Sequence, residues 1–295
     1  MEKDRQYNVL VPVALPSAGP GLIRAAAALV PPGRDPAVSA LHIEPLQSED
    51  TPAAVREEIA EIRNEALGSA QREAIILGLP LSTSSYASTD PVGAIRRVAE
   101  ARSSDLILLG WPRPTAAHGE PSPTVERLLD GCTCDVAVLL DRREPPWRNV
   151  LLPFVGGPHD LLAVELVRRI AESGATVTIL HVTDPQRPTS ETPRLRTPET
   201  GSFRDERVRL LVVESADPVG ETVREAAAGY DLIVVGVSPT FGAGVYPWNL
   251  RNERVAKDSQ ASLLVVWSHG VAAGQRVAHR LAKTEEAEAA VSNRS

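Results

Sequence analysis

Short runs of apolar residues, many of them β-branched, alternate along the chain with longer segments in which apolar residues recur every three or four positions. This alternation is typical of βαβ units that build a parallel sheet. The first half predicts strands at 8–13, 38–43, 82–87, 105–110 and 135–140, and helices at 19–30, 52–78, 91–102 and 123–131. The second half predicts strands at 149–154, 176–182, 209–214, 231–236 and 262–267.

The longest predicted helix has apolar residues at spacings of three and four, namely Val55, Ile59, Ile62, Ala66 and Ala70. This spacing predicts an amphipathic stripe that faces the sheet. The second half has no counterpart of this helix, because residues 184–201 contain four prolines and no apolar periodicity. This composition predicts a surface loop in place of the helix, or alternatively a docking or regulatory loop.

Four segments of the first half recur in the same order in the second half, about 126 to 141 residues further on. The pairs are 8–12 with 149–153, 41–43 with 180–182, 90–93 with 217–220, and 105–110 with 231–236. An ordered set of this kind indicates an internal duplication. We therefore predict two tandem doubly wound α/β domains, each with a five-stranded parallel sheet, at 1–143 (the first repeat) and 144–269 (the second repeat), followed by a polar tail at 270–295.

The composition narrows the classes of function. A formal net charge of −7 and an isoelectric point near 5.5 argue against a nucleic-acid partner, since phosphate binding needs a basic surface. The N-terminus is polar and no apolar run has the length of a membrane span, which predicts a cytoplasmic protein without direct membrane insertion. Cys132 and Cys134 are too few for a metal cage, so no metal site is expected.

The recurring motifs resemble those of the universal stress protein family. They are Val-Leu-Val-Pro at 9–12, Leu-His-Ile at 41–43, Asp-Pro-Val-Gly at 90–93, and Asp-Leu-Ile-Leu-Leu-Gly at 105–110. The resemblance covers nearly the whole chain twice, outside the termini and the loop. It implies an adenine-nucleotide α-hydrolase-like fold and pairing of domains through their last strands. A tandem chain can make this pair internally, as a pseudo-dimer, and a further homodimer remains open.

Two segments, 9–16 and 249–256, are similar to tandem stress-protein domains in or beside the cytoplasmic ends of bacterial cation/proton antiporters and amino-acid permeases. This similarity implies a membrane transporter as a partner.

The resemblance also implies where a nucleotide would bind. ATP-binding members of the family place glycines after the fourth strand, where backbone amides and a helix N-terminus meet the phosphates. In the first repeat Gly110 is followed by Trp111 and Pro112, the second-glycine position holds Arg113, and Ala14 stands at the position of the first-strand aspartate. This site is therefore expected to be lost.

The second repeat keeps more of the pattern, although Pro239 stands at its second-glycine position. Its candidate nucleotide-binding residues are Gly236, Ser238, Arg251, Asn252, Val155 and Gly156. Arg251 and Asn252 would meet an anion at the start of the last helix. The candidate ligand is ATP or another adenine nucleotide. Alternatively, Tyr246 and Trp248 fill this crevice.

No pattern of nucleophile and base, paired carboxylates or metal ligands points to catalysis. His42 and His181 lie at equivalent strand ends and predict a repeated packing feature, with lining of the crevice as the alternative, whereas His118 and His159 are interpreted as isolated loop histidines. We therefore predict a non-enzymatic regulatory or stress-response module that binds a protein or a small ligand. The alternatives are an adenine-nucleotide sensor that uses the second domain and a cytoplasmic regulatory part or partner of a transporter.

Overall fold

The computed structural model describes residues 6–48, 51–111, 123–129, 131–154, 157, 159–183, 207–237 and 250–270, with only the backbone described at 123, 124, 126 and 250–253. In the first repeat the elements are β1 (Tyr7–Pro12), a 3-10 turn (Pro16–Ala18), α1 (Gly19–Leu29), β2 (Pro36–Glu44), α2 (Ala53–Leu77), β3 (Leu81–Ala87), α3 (Pro91–Ala101), β4 (Leu106–Gly110), α4 (Pro123–Leu129) and β5 (Asp135–Leu140). In the second they are β6 (Asn149–Pro153), α5 (Asp160–Glu172), β7 (Thr176–Thr183), β8 (Val208–Glu214), α6 (Pro218–Ala226), β9 (Leu232–Gly236), α7 (Leu250–Asp258) and β10 (Ser262–Trp267).

The described strands form one sheet in the order β3-β2-β1-β4-β5-β10-β9-β6-β7-β8. Every neighbouring pair is parallel except β5 and β10, which run antiparallel with Leu139 opposite Leu264 and Val136 opposite Trp267. The last strands of the two repeats thus join the repeats edge to edge, as the family resemblance implies. The predicted α/β class with parallel five-stranded halves is confirmed.

Helices cover both faces of this sheet, which is why its strands are apolar at nearly every position. In β1, Val9 and Val11 face the core formed with α1, α2 and α5, whereas Leu10 faces the core formed with α3, α4, α6 and α7. All three side chains are at most 1% exposed. Successive side chains of a strand point to opposite faces of the sheet, so each strand contributes residues to both cores.

The repeated Asp-Pro-Val-Gly motif is a device for starting a helix. Asp217 precedes α6 and accepts a hydrogen bond from the Gly220 backbone N–H at 2.9 Å, with Pro218 at the first helical position. A Cβ atom at Gly220 would lie 2.3 Å from the Asp217 carboxylate, so the glycine leaves room for the cap. The Gly220 N–H, and then Arg254, hold the pKa of Asp217 below its usual value. Helix initiation therefore accounts for the recurrence of the motif.

The stripe predicted along α2 is correct for its second half and wrong for its first. Ala66 and Ala70 are fully buried, whereas Val55 and Ile62 are 41% and 40% exposed. The 25 residues of α2 span about 37 Å, and the nine residues of β2 span about 30 Å, so the helix extends past the edge of the sheet. The apolar periodicity continues where there is no strand beneath it.

The connection between the repeats is held against the start of β10. The backbone N–H groups of Arg142 and Arg143 donate to Ser262 Oγ at 3.0 and 2.8 Å, and Ser262 is fully buried. Trp147 is 3% exposed and donates its indole N–H to the Arg143 carbonyl at 2.8 Å. The connection is therefore part of the packed structure.

A buried arginine joins the two repeats across the sheet face. Arg169 of α5 is 4% exposed, and its guanidinium carbon lies 4.6 Å from the centre of the Tyr7 ring. Its Nη1 donates to the Leu29 carbonyl at the end of α1 at 2.9 Å, and its Nη2 donates to Glu165. The positive charge thus lies at the C-terminus of a helix from the other repeat, where the helix dipole favours it.

Replacing Arg169 by alanine is expected to lower the free energy of unfolding by about 2 to 4 kcal/mol, because it removes a cation–π contact and the buried donor to the Leu29 carbonyl. The matched control is Arg168→Ala at the adjacent position of α5, where an exposed ion pair with Glu172 contributes about 0.5 kcal/mol. Urea-induced unfolding of the two variants measures the difference. Equal losses would show that Arg169 does not hold the repeats together.

Candidate functional site

Ligands of open α/β sheets bind at the carboxyl edge, where the strand order reverses. In the first repeat this point lies between β1 and β4, and in the second it lies between β6 and β9. Gly110 and Gly236 end β4 and β9 at these two points. The crevices beside these glycines are therefore the candidate sites.

In the first repeat a carboxylate lies against the start of α1. A Cβ atom at Gly21 would come 1.8 Å from Asp141 Oδ2, so the carboxylate contacts the first turn of the helix. Burial raises the pKa of Asp141, and Arg24 opposes this effect. The N-terminus of a helix attracts anions, and the chain places its own carboxylate there. Beside Gly110, the neighbour of a Cβ atom would be a methyl group of Leu22 at 3.6 Å.

The second repeat also has a carboxylate at the start of a helix, but here it lies directly against the switch-point glycine. A Cβ atom at Gly236 would lie 2.4 Å from Asp160 Oδ1 and 2.8 Å from the Asp160 backbone nitrogen. Asp160 begins α5, is 1% exposed, and accepts a hydrogen bond from the Gly157 N–H at 2.8 Å. Gly236 therefore allows the N-terminus of α5 to pack on β9. A phosphate at this point would face a buried carboxylate, which disfavours it.

Of the nucleotide-binding residues predicted from the sequence, Gly236 is the one whose contacts the structure describes. Ser238, Val155 and Gly156 lie outside the described residues, and so do the side chains of Arg251 and Asn252. His118, Tyr246, Trp248, the loop at 184–201 and the tail from 271 onwards also lie outside them. The six-residue site therefore stays a prediction.

His42 and His181 form the repeated packing feature that the sequence predicts. His42 Nδ1 lies 2.8 Å from the Val13 carbonyl, and His181 Nδ1 lies 3.0 Å from the Phe154 carbonyl. A carbonyl only accepts, so Nδ1 donates and Nε2 carries no proton in the neutral ring. Both rings are at least 95% buried. Each histidine ties the residue after the first strand of its repeat to the neighbouring strand.

The interpretation of His159 as an isolated loop histidine is wrong. The ring is 4% exposed and stacks on Trp267, with the ring centres 5.7 Å apart. Its Nδ1 accepts a hydrogen bond from the Ser268 N–H at 2.9 Å, and burial lowers the pKa of His159 to about 4. The next backbone N–H, that of His269, donates to Asp135 Oδ1 at 2.8 Å. Sequence reasoning misses this cluster because its members are far apart in the chain.

A cavity of about 480 Å³ lies at the opposite, amino edge of the second repeat, lined in part by Thr178, Arg209 and Tyr230. Arg209 bonds Glu225 at 3.1 Å, which in turn accepts from the Tyr230 hydroxyl at 2.7 Å. In the first repeat Arg102 occupies the matching place and donates to Ser82 at 2.7 Å. The cavity is far from the switch point and is not part of the candidate site.

The described residues offer no metal centre. No group of three His, Cys, Asp or Glu side chains among them is arranged to hold a metal ion. Cys132 and Cys134 are free and buried, with their sulfur atoms 3.7 Å apart. The hydrogen bond with the Cys134 thiol is the largest of the interactions that lower the pKa of Cys132 to about 7. The same hydrogen bond raises the pKa of Cys134.

Among the residues that the structure describes, no helix has the length and apolar composition needed to cross a membrane.

Solved structures share this architecture. A universal stress protein from Archaeoglobus fulgidus DSM 4304 superposes with a TM-score of 0.61 at 16% identity, covering 88% of this chain and 97% of that one. A protein of unknown function from Pseudomonas aeruginosa PAO1 gives 0.52 at 18% identity, covering 92% and 96%. The cytoplasmic domain of a prokaryotic cation chloride cotransporter gives 0.54 at 11% identity, covering 90% and 96%.

These likenesses establish the fold, and the resemblance to universal stress proteins is confirmed at that level. No protein-family model matches the chain, and a search of curated protein sequences gives no significant match.

His159 makes the stability of the protein depend on pH. Its pKa is about 4 in the folded protein, against a usual value of 6.5, so between these values the unfolded chain binds the proton and the folded chain does not. The buried neutral ring makes its full contribution to the free energy of unfolding above pH 6.5. This contribution is lost as the pH falls to about 4, a difference on the order of 3 kcal/mol.

In the variant His159→Asn, the side-chain oxygen still accepts from the Ser268 N–H but does not titrate. Urea-induced unfolding between about pH 4 and 8 should therefore show a flatter pH dependence for the variant than for the wild type. Asp135 and Asp141, whose raised pKa values act in the opposite direction, are present in both proteins and cancel in the comparison. Parallel pH curves for the two proteins would contradict the role of His159.

Proposed function

We propose that this chain is a non-enzymatic regulatory module of the universal stress protein type, located in the cytoplasm, that acts by binding a protein partner without requiring a nucleotide. One observation carries the proposal: in both repeats a carboxylate of the chain lies at the helix N-terminus beside the crevice. These carboxylates are Asp141, against Gly21 of α1, and Asp160, against Gly236 of β9.

The physical argument is electrostatic. Phosphate recognition at a helix N-terminus depends on free backbone N–H groups and on the positive end of the helix dipole. Asp160 is nearly fully buried, so its interaction with a second anion is screened less than it would be in water. A triphosphate would have to displace the first turn of α5 or bind elsewhere, which disfavours nucleotide binding at Gly236.

The alternative within the same fold is an adenine-nucleotide sensor that uses Gly236, Ser238, Arg251, Asn252, Val155 and Gly156. Thermal unfolding with ATP, ADP, AMP and cyclic adenine dinucleotides, each with magnesium, separates the two, because a ligand that binds the folded state raises its stability. We expect the unfolding midpoint to change by less than about 1 °C at millimolar ligand. A saturable increase that is abolished by Arg251→Ala would overturn the proposal and support the sensor.

The variant Asp160→Asn tests the electrostatic reason separately. Its amide oxygen still accepts from the Gly157 N–H, so the turn is kept while the charge is removed. A midpoint increase with ATP in this variant and none in the wild type would identify the carboxylate as the group that excludes phosphate.

A second candidate function is favoured by the likeness to the cytoplasmic domain of a cation chloride cotransporter, at a TM-score of 0.54. In this proposal the chain is a regulatory partner that binds the cytoplasmic side of a membrane transporter. The fold is then a docking module, and the transporter supplies the membrane-spanning part.

This second candidate predicts that the tagged chain, expressed in its own host and purified from detergent-solubilised membranes, retains a multi-span transporter in near-stoichiometric amount. Mass spectrometry of the eluted proteins identifies it, and a tag without the chain is the control. Recovery of the chain with no membrane protein above the control would rule out a stable complex of this kind.

A further inference from the structure

The duplicated helices α3 and α6 differ in charge on the face that meets the outer strand of each repeat. In the second repeat two arginines on this side each have a carboxylate partner. Arg224 pairs with Glu221, one turn away on α6. Arg209 of β8 pairs with Glu225 of α6 at 3.1 Å. The chain itself therefore neutralises the positive charges on this side of the second repeat.

In the first repeat the corresponding carboxylates are absent. Pairing the Asp-Pro-Val-Gly motifs that start the two helices aligns α3 with α6, and it places Ala94 and Val98 at the positions of the two glutamates. Arg97 has the position of Arg224. It is exposed and forms no ion pair with any residue that the structure describes. The first repeat therefore has the cation without its partner.

A second arginine on this side, Arg102, is partly buried and is bound by hydroxyl groups instead of a carboxylate. Its Nη1 donates to Ser39 Oγ at 2.5 Å and to Ser82 Oγ at 2.7 Å. Its Nη2 donates to Ser84 Oγ at 3.4 Å. Hydroxyl oxygens satisfy the N–H donors but carry no charge. Taking a guanidinium partly out of water without a counter-charge is unfavourable, so an anion bound here would stabilise it.

An acidic residue beside this face, Asp90, already has a partner. It pairs with Arg127 of α4 at 2.9 Å. A Cβ atom at Gly93 would lie 2.1 Å from Asp90 Oδ2 and 3.2 Å from Arg97 Nη1, so Arg97 lies near this pair without joining it. One carboxylate between two arginines leaves an excess of positive charge, to which Arg102 adds.

Arg97 and Arg102 line one cavity of about 250 Å³ between α3 and β3. Ala94 and Val98 line it as well, so the positions without glutamates are those that border the open space. Tyr86 lies on its wall and is 48% exposed. The volume is below the roughly 300 to 1,000 Å³ of sites for drug-sized ligands. The cavity therefore suits a small anion.

We propose that this cavity binds a phosphate group, either as free phosphate or as the monoester of a small organic molecule. Two guanidinium groups match the charge of a phosphate dianion, and the guanidinium fork binds phosphate oxygens in bidentate fashion. A single carboxylate would match the charge of one arginine alone. The cavity lies on the outer strand, separated from the switch point at Gly110 by β1 and β2, so it is independent of the function proposed above.

Isothermal titration calorimetry of the full chain with inorganic phosphate, at about pH 8 and low ionic strength, tests the proposal, since phosphate is then a dianion. We expect a dissociation constant between about 10 µM and 1 mM. Arg97→Ala should weaken binding at least about tenfold, because it removes a charge-assisted contact from an exposed position. Arg224→Ala, the matched change on α6, should leave binding unchanged. Arg251→Ala, which tests the separate crevice of the second repeat, should also leave it unchanged.

A charge-restoring variant tests the comparison between the repeats. Val98→Glu gives α3 the carboxylate that Glu225 supplies in α6, and it should weaken phosphate binding at least about tenfold. Equal unfolding midpoints of the wild type and Arg97→Ala without phosphate would show that the fold is retained in the variant that removes the cation.

Phenyl phosphate distinguishes the two sources of the phosphate group. Tighter binding than that of inorganic phosphate would identify a monoester as the ligand, and Tyr86→Ala should then remove the difference. Binding that is no tighter would identify free phosphate. The proposal is refuted by the absence of binding of both compounds at up to about 10 mM, by binding that is unchanged in Arg97→Ala, or by equally tight binding of succinate.

Discussion

The antiparallel pairing of β5 with β10 is the interaction on which the rest of the structure depends. Val138 and Val265 face each other at its centre, and both strands are apolar on both faces. Unpaired, each strand would expose a row of backbone hydrogen-bonding groups together with apolar side chains, so the two repeats complete each other. The neighbouring contacts reinforce the pair: Ser262 holds the connection at the start of β10, and Asp135 holds the chain at its end.

Because the duplication closes the inner edges, the differences between the repeats are found at the outer parts of the sheet. In the first repeat a 25-residue helix, α2, covers β2 and β3, and the edge strand β3 has hydroxyl residues at 83 and 85. The second has no described helix in that place, and its edge strand has Leu210 and Val212. Two copies of one fold thus differ in how they meet their surroundings, while their buried strands remain alike.

The crevices show that a residue that matches the family pattern can have a packing role. Gly236 is retained from the family pattern, and its described role is steric, because α5 begins directly against it. From the sequence, Gly236 is a candidate phosphate-binding residue. Asp160, which lies directly against it, is not among the candidate site residues. The site could be located from the pattern, since strand order and glycines fix the switch point, but its charge could not.

The sequence by itself determined the α/β class, the duplication, the order of strands and helices, and the histidines that tie strand ends, because these follow from apolar periodicity and from motifs within a few residues. It did not determine that the first half of α2 extends past the sheet, that His159 packs on Trp267, or that Arg169 reaches Tyr7 and Leu29 of the other repeat. Those contacts join residues more than 100 positions apart, or depend on where an element ends. Only the folded chain brings them together, since local patterns carry no information about which distant surface meets which.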